Sequence, residues 1–495
     1  MKKIWCIGCI VLLCVTGCHK RQARLSWKVA EIAGCWKGRM VSPHDHPFSE
    51  MILFSHRPDS TLALSLFFEL GPRSMVHSFD QDVEVRERTV HWKNNDGFLS
   101  SNRDTLHVTR TESWGQSTWL FTRDKSADAL MVQLHENPEV PYTYRIPEDR
   151  DDGWHGEDIA ASGMGKSKVI ELINEIRDGK HDDIHSFLIV KDHSLVVEEY
   201  FAENGTKHGP FITGLFRDKV HHLASTTKCV TSTLVGIAID KGFIRDAEEP
   251  IQAYLPVYSS LFTGEKKSIS IRDMLTMTPG FEWRQFGVSD DLNDGMRMWG
   301  TDDVIGYVLR KPLEARPGKK FNYSNGVPTV VGAIIRNAIG MEVGVFAERY
   351  LFDSLGIQEY VWTCYPDGSI ETDGGLALRS RDLAKIGQLF LDHGTWNGKV
   401  IVSEDWVLES TRERLRFGRS GRWGYGYYWM QAEWRVDDRV VRSFFAPGDG
   451  NQILAVFPGL KMVVVFTAGN YGRDPKSTYH SLFEEFILPA VLQRK

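Results

Sequence analysis

The sequence predicts an α+β chain: a small all-β domain, barrel or sandwich, followed by a larger domain whose antiparallel sheet is assembled from both ends of its own segment. Three observations carry this reading. From about Gly34 to His135, short runs rich in Val, Leu, Thr, Phe and Trp alternate with turn residues. A proline-rich, acidic stretch then breaks the pattern. Beyond it, the hairpin-like "SFLIVKDHSLVVEEYF" and the late strands "YGYYWMQ", "VVRSFF", "QILAVF" and "MVVVFTA" enclose a long middle of helix and loop. At 495 residues the chain also exceeds the size at which one core keeps growing, so two domains are expected.

Taken in order, residues 1–17 read as an export signal. Lys2 and Lys3 precede an apolar run, Ile4 to Val15, that is too short to span a bilayer. The end of that run, Val15-Thr16-Gly17-Cys18, resembles the lipobox of bacterial lipoproteins. The resemblance implies that Cys18 is acylated, and hence an exported, membrane-anchored lipoprotein of the bacterial cell envelope. Residues 18–135 form the all-β domain, whose opening Gly34-Cys35-Trp36-Lys37-Gly38 is similar to the start of lipocalin-like barrels. A structural spacer is the expected role for it. Residues 136–158, with Pro138, Pro141, Pro147 and a cluster of acids, are a linker that neither strand nor helix favours. In the second domain, 159–495, "KVIELINEIRDGK", "DLAKIGQLFLDHG" and "SLFEEFILPAVLQ" have helical periodicity.

Composition narrows the chemistry. A net charge of −6 with no long run of one sign excludes a nucleic-acid footprint. Once the signal cysteines and Cys18 are set aside, Cys35, Cys229 and Cys364 remain, an odd trio that is neither a disulfide framework nor a zinc site. The string "ASGMGKS" fits a permissive phosphate-loop pattern, but no buried strand delivers it, so Gly165-Lys166-Ser167 reads as a helix start. His44 and His46 read as a solvated loop. The chain contains neither His-Glu-x-x-His nor Gly-x-Ser-x-Gly.

Two short motifs remain. In "LASTTKCVTSTLVGIAI", Ser225 and Lys228 stand three apart and share one helical face. The helix continues apolar, so the lysine sits in poorly solvated surroundings and the hydroxyl sits near helix N–H groups that favour a developing negative charge. A lysine that gives up its proton there can take the serine's, which is the activation a weak nucleophile needs. The second motif, in "FNYSNGVP", is the chain's one Tyr-x-Asn, Tyr323 to Asn325. A phenol and an amide at that spacing can face one cleft from a turn.

Together, and in this order, the motifs resemble the serine β-lactamase and penicillin-binding-protein superfamily, in its class C β-lactamase, DD-carboxypeptidase and esterase branch. "IRDMLTMTPGF", "PGKKFNYSN", "GGLALRSRDLAKIGQLFLDHGTWNGKVIVSEDW" and "PGDGNQILAVFPGLKMVVVFTAGN" share the likeness, which covers about residues 154 to 490. It implies a β-lactamase-like domain: five or so antiparallel strands flanked by helices, a helical subdomain, and a cleft between them that works without metal or cofactor. It implies Ser225 as acylated nucleophile, Lys228 as its base and Tyr323 as proton carrier to the leaving group. Asn325 would orient Lys228 or the substrate, and an oxyanion hole would use the backbone N–H of Ser225 and of Asp449 just after Gly448. The third motif departs from the family. Where β-lactamases carry Lys or His, then Thr or Ser, then Gly, this chain has Ala446-Pro447-Gly448, which favours a neutral ester or amide over a β-lactam. The expected partners are thus a small ester or amide substrate and, through lipid, a membrane. The rival reading is a non-catalytic lipoprotein that binds penicillin-like or cell-wall ligands.

Overall fold

The structure is a computed structural model that describes residues 142–181, 183–201, 217, 220–417, 421–470 and 479–492, together with the backbone of eight strands between Trp36 and Arg123. The signal segment, Cys18, Cys35, His44 and His46 lie outside the described residues. Two compact units are present: residues 1–142 with 175–185 and 200–221, and residues 143–174 with 186–199 and 222–495.

In the first unit, the strands β1 (Trp36–Val41), β2 (Ser49–His56), β3 (Leu62–Glu69), β4 (Asp80–Arg86), β5 (Thr89–Trp92), β6 (Asn95–Leu99), β7 (Thr105–Glu112) and β8 (Gly115–Arg123) pair in sequence order. Strand β1 pairs antiparallel with both β2 and β8, so the backbone ladder closes.

The second unit is built on a nine-stranded sheet. Its members in chain order are β9 (His155–Gly156), β10 (Ile184–Lys191), β11 (Ser194–Tyr200), then, after β12 (Tyr360–Trp362) and β13 (Leu376–Leu378), which belong to a separate three-stranded sheet, the run β14 (Leu415–Phe417), β15 (Trp423–Tyr425), β16 (Met430–Val436), β17 (Arg439–Gly448), β18 (Gln452–Phe457) and β19 (Met462–Ala468). Across the sheet the order is β14-β15-β16-β17-β18-β19-β10-β11-β9. The β10–β11 turn places Asp192 and His193 at φ +48° and +70°, the paired left-handed conformation of a tight hairpin. Strands β18 and β19 are buried at every position, as their β-branched runs require of central strands.

The sheet is larger than the five or so strands expected, and it is mixed, because β9 pairs parallel with β11. This edge comes from the stretch read as linker. Trp154, 4% exposed, donates from Nε1 to the Arg381 carbonyl at 3.0 Å, and Asp152 takes the Arg381 guanidinium at 2.6 and 2.9 Å. Tyr144 donates to the Val196 carbonyl at 3.0 Å. Partnered acids and two aromatics thus dock residues that have no periodicity of their own.

Four helices matter here, α1 (Lys166–Arg177), α2 (Thr227–Asp240), α3 (Gly326–Ile339) and α4 (Ser380–Leu391), of which α2 holds Lys228 and α3 follows Asn325. Gly165-Lys166-Ser167 does start a helix, with Lys166 paired to Asp158 at 2.7 Å. Helix α2 is buried from Thr227 through Ala238, including Cys229, and packs on α3. Helix α4 lies across β18 and β19. Its Gly387 permits this, since a Cβ there would come within 2.5 Å of Val463 and 2.8 Å of Leu454.

Candidate active site

Ser225 lies in a single 3-10 turn, Ala224–Thr226, that feeds directly into α2. The expected α-helix therefore begins two residues later than Ser225. Ala224 holds φ +47°, a left-handed conformation unfavourable for a residue with a Cβ. Tertiary bonds hold the turn there. Leu223 N donates to the Leu376 carbonyl at 2.9 Å, Leu376 N donates to Thr227 Oγ1 at 3.2 Å, and Thr226 Oγ1 donates to the Ala446 carbonyl at 3.1 Å. One further turn on, Thr231 Oγ1 donates to the Thr372 carbonyl at 2.6 Å. Leu223, Ala224, Thr226, Thr227 and Lys228 are all buried, which leaves Ser225 as the partly exposed member of the group.

Lys228 is 2% exposed, and its Nζ has three partners: Ser225 Oγ at 2.8 Å, Asn325 Oδ1 at 3.2 Å and the Asp373 carbonyl at 2.5 Å. This geometry serves both states of the amine. An ammonium donates to all three. A neutral amine donates to Asn325 and Asp373 and turns its lone pair to the Ser225 hydroxyl.

Asn325 precedes α3 and uses its side chain on Lys228 rather than on capping the helix. Its backbone N–H donates to Gln285 Oε1 at 3.0 Å. Tyr323 stands with its ring centroid 5.1 Å from Lys228 Nζ and 5.8 Å from the ring of Phe286. Buried Tyr425 and Tyr428 border the same space, and burial pushes both phenols well above their ordinary range. The Tyr428 hydroxyl has no hydrogen-bond partner among the described residues.

The end of β17 runs past the Ser225 turn. A Cβ on Gly448 would stand 2.3 Å from the Leu223 carbonyl oxygen and 3.0 Å from Thr226 Oγ1, so only glycine lets the two backbones meet. Asp449 follows in the exposed hairpin turn, its Oδ1 accepting from Gly450 N at 2.9 Å. Ala446 is 1% exposed and brings no charge. Arg442, four residues back along β17, pairs with Glu433, and Arg422 pairs with Glu484, so both are engaged elsewhere.

The structure thus joins Ser225, Lys228 and Asn325 by hydrogen bonds, sets Tyr323 beside them, and lays Gly448 against the turn. Sequence reasoning missed Asp373, Tyr365 and Tyr428. The Gly-Gly pair in "ETDGGLALRS" marked a close backbone approach, but nothing in the string said to what. Among the described residues no group of His, Cys, Asp and Glu is arranged to hold a metal ion.

The profile of the family described as beta-lactamase matches residues 185–483. The 6-aminohexanoate-dimer hydrolase of Paenarthrobacter ureafaciens is 26% identical over 233 residues, 45% of this chain and 55% of that protein. The D-alanyl-D-alanine-carboxypeptidase/endopeptidase AmpH of Escherichia coli (strain K12) is 25% identical over 174 residues, 34% of this chain and 44% of that one. The chain thus spans about half the length of these curated relatives. Among solved structures, a family VIII carboxylesterase superposes with a TM-score of 0.52 at 16% identity, over 66% of this chain and 96% of that one, a likeness of fold.

Proposed function

Because the chain belongs to the beta-lactamase family, we propose that it is a serine hydrolase that cleaves an ester or amide bond through an acyl-enzyme on Ser225. The observation that carries this is the three-way bonding of Lys228. With its two protons on Asn325 Oδ1 and the Asp373 carbonyl, the neutral amine accepts the Ser225 proton across 2.8 Å. The serine oxygen then bonds to the carbonyl carbon, and the carbonyl oxygen takes up the negative charge. Backbone N–H groups of Ser225 and Asp449 stabilise that oxyanion. As the tetrahedral adduct collapses, the carbon–leaving-group bond breaks and Tyr323 passes a proton to the departing oxygen or nitrogen. Water then attacks the acyl carbonyl with the same groups in reverse order and restores free Ser225.

A neutral substrate is supported by the third motif. Ala446 offers no charge to a substrate carboxylate, and Arg442 and Arg422 are engaged in other ion pairs. The names of similar proteins, a 6-aminohexanoate-dimer hydrolase and a carboxylesterase of like fold among them, agree with an ester or amide. The experiment is a comparison of kcat/KM on a short-chain p-nitrophenyl ester, a linear amide dimer and nitrocefin, in wild type and Ser225→Ala. Turnover of the ester or amide that vanishes in Ser225→Ala supports the reading, and turnover that survives it refutes the nucleophile.

For the N-terminal segments, we propose export, diacylation of Cys18 and membrane anchoring, with the β-strand unit as a lipocalin-like spacer. The motive is the sequence up to Val15-Thr16-Gly17-Cys18. Detergent-phase partitioning of wild type and Cys18→Ser tests it: release of the variant from membranes is expected, and unchanged association contradicts it.

A further inference from the structure

Lys228 needs only a carbonyl oxygen from residue 373, and any residue supplies one. Yet position 373 carries a carboxylate, 6% exposed, in the same dry space as the lysine. Asp373 Oδ1 accepts from the Tyr365 hydroxyl at 2.6 Å and from Thr329 Oγ1 at 3.4 Å, while the Asp373 carbonyl takes Lys228 Nζ. The single Thr329 hydroxyl proton is shared with the Asn325 carbonyl, 3.0 Å from Oγ1, so Asn325, Thr329, Asp373 and Tyr365 form a continuous wall behind Lys228. Tyr365 is 3% exposed and is itself wedged by the ring of Trp299 at 5.2 Å. A carboxylate withdrawn from water is unfavourable, and it persists where something it does compensates.

We infer that the Asp373 carboxylate is a positioning residue for the Ser225–Lys228 pair: held by Tyr365 and Thr329, it fixes the carbonyl that takes Lys228 Nζ and sets a negative charge behind the lysine that limits the reaction at low pH. The inference rests on the acyl-enzyme reading above. A carboxylate and an ammonium sharing one desolvated space each favour the other's charged form. Burial holds the Asp373 carboxyl above its ordinary value, and the charge of Lys228 and the hydrogen bonds from Tyr365 and Thr329 offset part of that rise. The other titratable groups facing it are Glu371, two residues away on the same β12–β13 connection, and the phenol of Tyr428 before β16. Burial pushes Glu371 up to about 7, and the charge on Asp373 adds to that. Asp373 is thus the carboxylate of this group that Lys228 directly counters. The reaction requires a proton vacancy in the Ser225–Lys228–Tyr323 set. A negative charge behind Lys228 opposes that vacancy, so removing the charge extends the reaction to lower pH.

The test is the rate at which a fluorophosphonate labels Ser225 as a function of pH, in wild type, Asp373→Asn, Tyr365→Phe and the double variant. Asp373→Asn moves the acid limb of the profile down by about one pH unit, the size expected on losing one close opposite charge. Tyr365→Phe strips the carboxylate of its strongest donor, so it takes up a proton and the limb moves the same way. The double variant adds nothing to Asp373→Asn. A folded Asp373→Asn or Tyr365→Phe whose limb stays in the wild-type place overturns the inference. Should Asp373→Asn fail to fold, Tyr365→Phe carries the test alone. A wild-type protein unlabelled at every pH overturns the acyl-enzyme reading and this inference with it, an outcome distinct from labelling with an unmoved limb.

Discussion

Gly448→Ala adds one methyl group at the seam between β17 and the Ser225 turn. The new Cβ would stand 2.3 Å from the Leu223 carbonyl oxygen, 2.9 Å from Gln452 Cβ and 3.0 Å from Thr226 Oγ1. The turn cannot simply retreat, because Leu223 N is tied to the Leu376 carbonyl at 2.9 Å. Restoring even a 3.0 Å separation requires the strand to move by about 0.7 Å, and misplacement on that scale costs roughly 10- to 100-fold in rate. The move also stretches the 3.1 Å bond from Thr226 Oγ1 to the Ala446 carbonyl, a loss of about 1 kcal/mol, with overpacking adding about 1–3 kcal/mol. Asp449 N–H, assigned above to the oxyanion, moves with the strand. The expected signature is a protein that melts a few degrees lower, keeps its circular dichroism spectrum and labels with a fluorophosphonate far more slowly. Labelling within about twofold of wild type would refute the idea that β17 positions the oxyanion donor.

Other outcomes follow from the same geometry. Ser225→Ala and Lys228→Ala should each abolish turnover of an activated ester, and the double variant should be no worse than either, because the two groups act as a unit; near-full activity of a folded Lys228→Ala at neutral pH contradicts the base assignment. Glu371 binds its proton near 7 when folded against 4.5 as the ordinary value, so its contribution to stability is fully present below pH 4.5 and is lost as pH rises through 7, by at most about 3 kcal/mol. Glu371→Gln should therefore flatten the pH dependence of chemical denaturation between pH 5 and 8, and an unchanged slope counts against that account. Arg381→Ala leaves Glu198 and Asp152 without their 2.7 and 2.6 Å partner and should destabilise the second unit by about 3–5 kcal/mol, read as a lowered denaturation midpoint. With Ala446 in place of a cation, nitrocefin should be handled roughly 10- to 100-fold less efficiently than a neutral short-chain ester, the equivalent of about 1.5–3 kcal/mol of missing charge-assisted contact; efficient nitrocefin turnover sinks the substrate reading.

What the sequence made legible was local. Ser225 and Lys228 meet because three-residue spacing puts them on one face, and the apolar run after them is buried as such a run must be. The tight hairpin at Asp192-His193 and helices α1 and α4 were readable from turn chemistry and period. The groups that complete the site arrive from far along the chain. Asp373 reaches Lys228 across 145 residues and Ala446 reaches Thr226 across 220, and no periodicity encodes such approaches. The left-handed Ala224 was equally hidden, since the bonds that hold the turn come from β13 and β17. Within the linker read at 136–158, the order of residues 143–158 was hidden for a related reason. Prolines and acids deny it a period, while its order comes from Arg381, more than two hundred residues on, at the start of α4.

The most direct test of the central claim is the site of covalent modification. Wild-type protein treated with a fluorophosphonate at neutral pH should gain the mass of one adduct, mapped by peptide sequencing to Ser225 in "LASTTKCV", with no adduct on Ser225→Ala and a strongly slowed one on Lys228→Ala. Folded wild-type protein that gains no adduct, or carries it on another residue, would contradict the account.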